Sequence, residues 1–152
     1  MKTILVPIDF SGVSREVMQC ALRLARGFEA RVVLLHVVLP PVIVTDAGPL
    51  VDESLQFTAR AERGARRHLL QLQQALGKSG VKVDAVCVQG FAVPHILAQA
   101  KELGARYIVL GSHGHTAFYD LVVGGTAHGV LQRAGCPVVV VPTQPAAKVA
   151  RK

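Results

Sequence analysis

A chain of 152 residues is the size of one domain and long enough to bury a core. Just over half its residues are hydrophobic, aromatics are few and tryptophan is absent, which excludes a disordered chain and suits Val/Leu/Ala-rich strands buried under helices. The net charge of +7 raises nucleic acid as a partner, but it gathers in the tail (Lys148, Arg151, Lys152) and on one predicted helix (Arg60, Arg63, Arg66, Arg67), without the interleaved aromatics of a stacking platform, and so argues against one.

Residues 3–9 (TILVPID) are apolar and β-branched and end in turn chemistry between Asp9 and Gly12, which predicts a buried strand. Ser11 or Ser14 is placed to cap the next segment, where Val17, Met18, Ala21, Leu22, Leu24 and Ala25 recur with a helical period. A second buried strand is expected over 31–38 (RVVLLHVV), followed by an irregular, proline-rich loop over 39–51. From Asp52 to Gly77 the period is again helical, with Leu55, Ala59, Ala65, Leu69, Leu72 and Leu76 facing inward. The alternation in 81–88 (VKVDAVCV) marks a strand with one less buried face, near a sheet edge. A short helix over 93–103, a buried strand over 106–111, a helix over 126–134 and a fifth strand over 136–142 complete the series.

Strand and helix alternate throughout, so parallel pairing through right-handed crossovers is expected: an α/β, Rossmann-like open sheet of five strands with helices on both faces. The domain is expected to span 1–143, with 144–152 a disordered basic tail. Ligands of such sheets bind at the carboxyl ends of the strands, where strand order reverses. Asp9, Val37 and Gly111 all stand at such ends, on the first, second and fourth predicted strands.

After the fourth strand come Gly111 and Gly114, nine further residues, and then Gly124, Gly125 and Thr126 at the start of a helix. Glycines there let a phosphate approach backbone N–H groups at the positive end of a helix dipole. They can equally be hinges of a tight connection, with Gly129 serving only close helix packing. Thr126 is a candidate N-cap or a hydroxyl for a ligand oxygen. "GKS" at 77–79 has the ending of a P-loop, but Leu72 stands where its first glycine belongs. "SHGHT" at 112–116 has the wrong spacing and place for a nucleotidyl-transfer histidine pair. No G-x-G-x-x-G fingerprint follows any strand, which speaks against a dinucleotide. The third strand lacks the acceptor aspartate of a receiver domain.

With these words in order, from "ILVPIDFS" through "LLHVV" and "GSHG" to "CPVVVVP", the chain resembles the universal stress protein family over nearly its whole length. In that family G-x2-G-x9-G-(S/T) marks the members that bind ATP. This sequence reads Gly111-x2-Gly114-x9-Gly124 and then Gly125, a glycine in place of the usual hydroxyl residue. The resemblance implies an adenine nucleotide, ATP with or without Mg2+, with Asp9 toward the ribose or adenine and the main chain of Val37 against the adenine. Gly111, Gly114, Gly124 and Gly125 would then give room and N–H donors to the phosphates. Losing one hydroxyl contact at Gly125 costs about 1–2 kcal/mol, roughly a tenfold weakening, unless Thr126 replaces it.

Chemistry on the phosphates needs a placed base. His113 and His115 are the titratable candidates in the loop, Asp9 and Asp120 form no evident magnesium pair, and the other histidines (His36, His68, His95 and His128) lack metal-ligand spacing. The expectation is a stress-response binding module with no catalytic residue, no resident metal and at most slow ATP hydrolysis. The alternative is a protein of the same fold that acts through its surface without nucleotide. The apolar last strand predicts a homodimer buried through Val138, Val139, Val140 and Val141, as the resemblance also implies. Cys20, Cys87 and Cys136 are widely spaced, the opening MKTILVPIDF is too short for a signal core, and no run is long enough to span a bilayer. A soluble, cytoplasmic protein is expected.

Overall fold

In the computed structural model, residues 1–40, 51–113 and 123–142 are described, the first five of the second helix in their backbone only. The elements run β1 (Lys2–Pro7), α1 (Ser14–Phe28), β2 (Ala30–Val38), α2 (Val51–Gly77), β3 (Val83–Gln89), α3 (Ala92–Glu102), β4 (Ala105–Gly111), α4 (Gly125–Arg133) and β5 (Val138–Val141). Every pairing is parallel and the strand order is β3-β2-β1-β4-β5. The expected α/β architecture is therefore present, with β3 at an edge as its weaker alternation indicated.

Side-chain alternation along the strands builds two cores. On one face Ile4, Val6, Val32 and Leu34 meet Val17, Met18, Ala21 and Ala25 of α1 and Leu69 of α2. On the other, Leu5, Val33, Leu35, Ile108 and Leu110 meet Ile96 of α3 and Ala127 and Val130 of α4. Leu5 and Ile108 are wholly buried; each such side chain contributes about 2 kcal/mol by leaving water. In α2, Ala65 and Leu69 are buried, and Leu72 and Leu76 pack on the same core as their period required. Leu55 lies outside the described side chains. Gly129 brings α4 close to α3: an added Cβ would sit 3.0 Å from Val93 Cγ2.

Polar links tie the layers. At the amino end of the sheet, Arg31 joins three strands, donating from Nε to Thr3 Oγ1 and from a guanidinium nitrogen to Asp84 Oδ2, both at 3.1 Å. Glu62 on α2 accepts from Arg66 at 2.6 Å and from Gln89 Nε2 at the end of β3 at 2.8 Å. The hydrogen bond from Arg66 holds the Glu62 carboxyl below its usual range. Arg60, Arg63, Arg66 and Arg67 are all exposed along α2.

All three cysteines are free, and burial pushes the thiols of Cys87 and Cys136 up. A raised thiol holds less reactive thiolate at a given pH. At about pH 8 both should therefore react with a thiol reagent more slowly than free cysteine, and guanidinium unfolding should abolish the difference. Equal rates before and after unfolding would contradict this.

Among the described residues no helix is long and apolar enough to cross a membrane. The tail expected over 144–152 and most of the loop expected over 39–51 lie outside them.

Candidate functional site

β1 and β4 are neighbours in the sheet, yet they feed helices on opposite faces, α1 and α4. Their connections part at the carboxyl ends of the strands and leave a crevice, the usual ligand position in open α/β sheets. A cavity of about 330 Å³ occupies it, within the size range of small-molecule sites. Asp9, Val37, Gly111, Gly124, Gly125 and Thr126 all line this cavity. Gly114, with His115 and Asp120, lies outside the described residues.

The phosphate-type end is built by the start of α4. Gly124 is the N-cap in an extended conformation, and no side chain among the described residues caps the helix. Thr126 is thus not the cap, a correction with a simple cause: the helix begins one residue earlier than its apolar pattern shows, because Gly125 carries no side chain to register. Gly124 N–H donates to Ser112 O at 2.6 Å, and His128 N–H donates to Gly124 O at 2.9 Å. The amides that follow the cap open the helix at its positive end, without intrahelical partners. Ser112 also donates from its own N–H to Val141 O at 2.8 Å, so one buried residue ties this loop to β5 and to α4.

Two of the glycines differ in what a side chain would meet. At Gly111 an added Cβ would lie 2.6 Å from Val13 Cγ1 and 3.3 Å from His113 O, so this glycine makes room for the segment leading into α1. At Gly125 nothing among the described residues stands within 4 Å. Gly125 faces open space at a helix N-terminus, where a ligand anion is favoured.

At the other end, Asp9 Oδ1 accepts the N–H of Ser11 at 3.0 Å, so the carboxylate holds the turn after β1 while it borders the cavity. Phe10 follows at φ 60°, a left-handed conformation rare for an aromatic residue. Its ring lies against His36 (centroids 4.3 Å apart) and stacks on His68 of α2 (4.2 Å), contacts that offset about 1 kcal/mol of backbone strain. His36, which lines the cavity, donates from Nδ1 to Ile8 O at 2.8 Å; a carbonyl only accepts, so Nδ1 carries the proton.

His36 and His68 lie far apart in the chain and Phe10 sits in a turn, so no spacing signals their contact. Nothing in the periodicity of 60–76 points to a ring stacked on the β1 turn. His113 lines the cavity with Nδ1 3.1 Å from Ser112 Oγ.

The caps expected for α1 are also corrected. Val13 occupies the N-cap position without a side-chain bond, and the hydroxyls of Ser11 and Ser14 are both buried without a hydrogen-bond partner among the described residues. The turn held by Asp9 places both serines where their oxygens miss the helix amides.

A family model described as the universal stress protein family matches residues 1–142. The chain belongs to the universal stress protein family. It is 31% identical over 144 residues to universal stress protein MJ0531 of Methanocaldococcus jannaschii, covering 92% of this chain and 81% of that one. The structure of universal stress protein UspA from Lactobacillus plantarum superposes with a TM-score of 0.82 at 26% identity, over 92% of this chain and 97% of that one. A universal stress protein from Archaeoglobus fulgidus, solved in complex with dAMP, has the same fold: TM-score 0.66, 22% identity, 92% and 97% coverage.

Proposed function

We propose that this universal stress protein is an adenine-nucleotide-binding module whose ligand is ATP. One observation carries the reading. Side chains from β1, β2, β4 and the start of α4 converge on a single cavity, and its phosphate-type end is open space over Gly125 at a helix N-terminus. The solved relative from Archaeoglobus fulgidus, in complex with dAMP, supports the class of ligand. Asp9 would face the ribose and adenine side, with the main chain of Val37 against the base. The amides of Gly125 and Thr126 would meet the phosphates, with Gly124 giving backbone room beside them, and Gly114 belongs to the same connection in sequence. Magnesium would arrive on the phosphates, since Asp9 is the sole carboxylate among the described lining residues. ATP itself supplies a phosphoanhydride and its charge; the chain supplies position and exclusion of water.

Turnover should be slow, because the described lining residues supply backbone amides and a single carboxylate, Asp9, for holding a nucleotide, and no pair of carboxylates to bind a metal and activate water. The free thiols support a reducing, cytoplasmic compartment. We further propose a homodimer through β5.

Calorimetric titration of ATP with magnesium should give a Kd of roughly micromolar order. Gly125→Ser should tighten it about tenfold at unchanged stability, because the new hydroxyl enters free space and can reach a phosphate oxygen. Absence of heat at two temperatures, in folded protein free of co-purified nucleotide, would leave the surface-acting alternative.

A further inference from the structure

We propose that Ser14 is a ligand contact, through which the first turn of α1 holds a phosphate oxygen of the bound nucleotide. The inference rests on the nucleotide reading above and adds a second phosphate station, on the side of the crevice opposite α4.

Three observations converge on this residue. Ser14 opens a 15-residue helix and is only 7% exposed. It lines the same cavity as Asp9, Gly111 and Gly125. Its Oγ is a buried oxygen with no hydrogen-bond partner among the described residues. The backbone around it is satisfied otherwise: Ser14 N–H donates to Ser11 O at 3.0 Å, and Val17 N–H donates to Val13 O at 3.0 Å. The fold therefore has no use for this hydroxyl, although desolvating it without a partner is unfavourable.

Rotation about Cα–Cβ carries a serine oxygen between staggered positions without moving the helix, so a lining serine can present its hydroxyl to a ligand. The positive end of α1 favours an anionic oxygen there, as the positive end of α4 does at Gly125. Glu16, the acidic residue of the same turn, is exposed and does not line the cavity. Ser11 supplies a control within the same turn. Its hydroxyl is equally buried and unpartnered, but it is not part of the cavity lining.

The test is titration of ATP and of adenosine into the wild-type chain, Ser14→Ala and Ser11→Ala, with thermal unfolding of each protein without ligand. Ser14→Ala is expected to weaken ATP about tenfold and to leave adenosine unchanged. Its ligand-free midpoint should hold or rise by about 3 °C, since an unsatisfied hydroxyl is removed. Ser11→Ala should bind ATP like the wild type.

Unchanged ATP affinity in Ser14→Ala would overturn the proposal while the nucleotide reading stood. Equal weakening of adenosine would place the contact on the nucleoside and overturn the phosphate assignment. A ligand-free midpoint several degrees lower would show that the fold itself uses the hydroxyl. A wild-type chain that binds no ATP would overturn both readings together.

Discussion

Gly111→Ala is expected to destabilise the protein by about 2–3 kcal/mol, the cost of overpacking a site that cannot yield. The added methyl would stand 2.6 Å from Val13 Cγ1, closer than carbon atoms approach, and 3.3 Å from His113 O. Gly111 is fixed from the other side by its pairing with Val141 in β5, and Val13 is buried at the start of α1, so neither partner moves away freely. Chemical denaturation measures the loss directly. Val13→Ala opens the space the methyl needs, so the double variant should be more stable than the sum of the single losses predicts, with a coupling of about 1 kcal/mol or more. Additive losses would show that Gly111 is not there to accommodate Val13. The result also separates the glycines by role. Gly111 is a packing glycine at the end of a strand, whereas Gly125 borders open space and is free to meet a ligand.

The second large effect concerns the proposed dimer. Ile108 N–H donates to Pro137 O and Ser112 N–H donates to Val141 O, so the odd-numbered residues of this stretch turn their backbone groups toward β4. Val138 and Val140 turn theirs toward the free edge. All four valines of β5 are half-buried in the single chain, and Val140 packs on the face shared by α3 and α4. A charge at Val140 would therefore attack the fold as well as an interface. Proline is the cleaner probe: it removes an N–H that β4 does not use, in an edge position where proline is tolerated. Val140→Pro should keep its far-ultraviolet spectrum and lose one cross-edge hydrogen bond per copy, about 2 kcal/mol or roughly thirtyfold in the dimer Kd. Sedimentation at concentrations where the wild type is dimeric should show monomer. A dimer of unchanged affinity would move the interface away from β5.

Much of this was legible in the chain because its signals are local. A buried strand shows as a β-branched run such as 31–38, and a packed helix as the recurrence of Val17, Met18, Ala21 and Ala25. Those periods specify nine elements, their order and a parallel sheet, and the strand ends single out Asp9, Val37 and Gly111, which line one cavity. The boundaries were less legible. Gly125 and Ala92 belong to helices whose first turns have little apolar pattern to announce them, and Val13 stands at an N-cap where a hydroxyl residue was the natural expectation.

Period and turn chemistry act over a few neighbours, so the α/β class, the succession of elements and the residues at the mouths of the strands are written in the chain. Packing in three dimensions sets β1 between β2 and β4, and so where the crevice opens. It alone put Phe10 between His36 and His68, assigned Gly111 to Val13 and left Gly125 in open space, and buried the hydroxyl of Ser14 beside the cavity without a partner. Each depends on residues far apart in the chain or on the precise path of a turn. Only packing across the sheet brings them within contact distance or sets a hydroxyl out of reach of its helix.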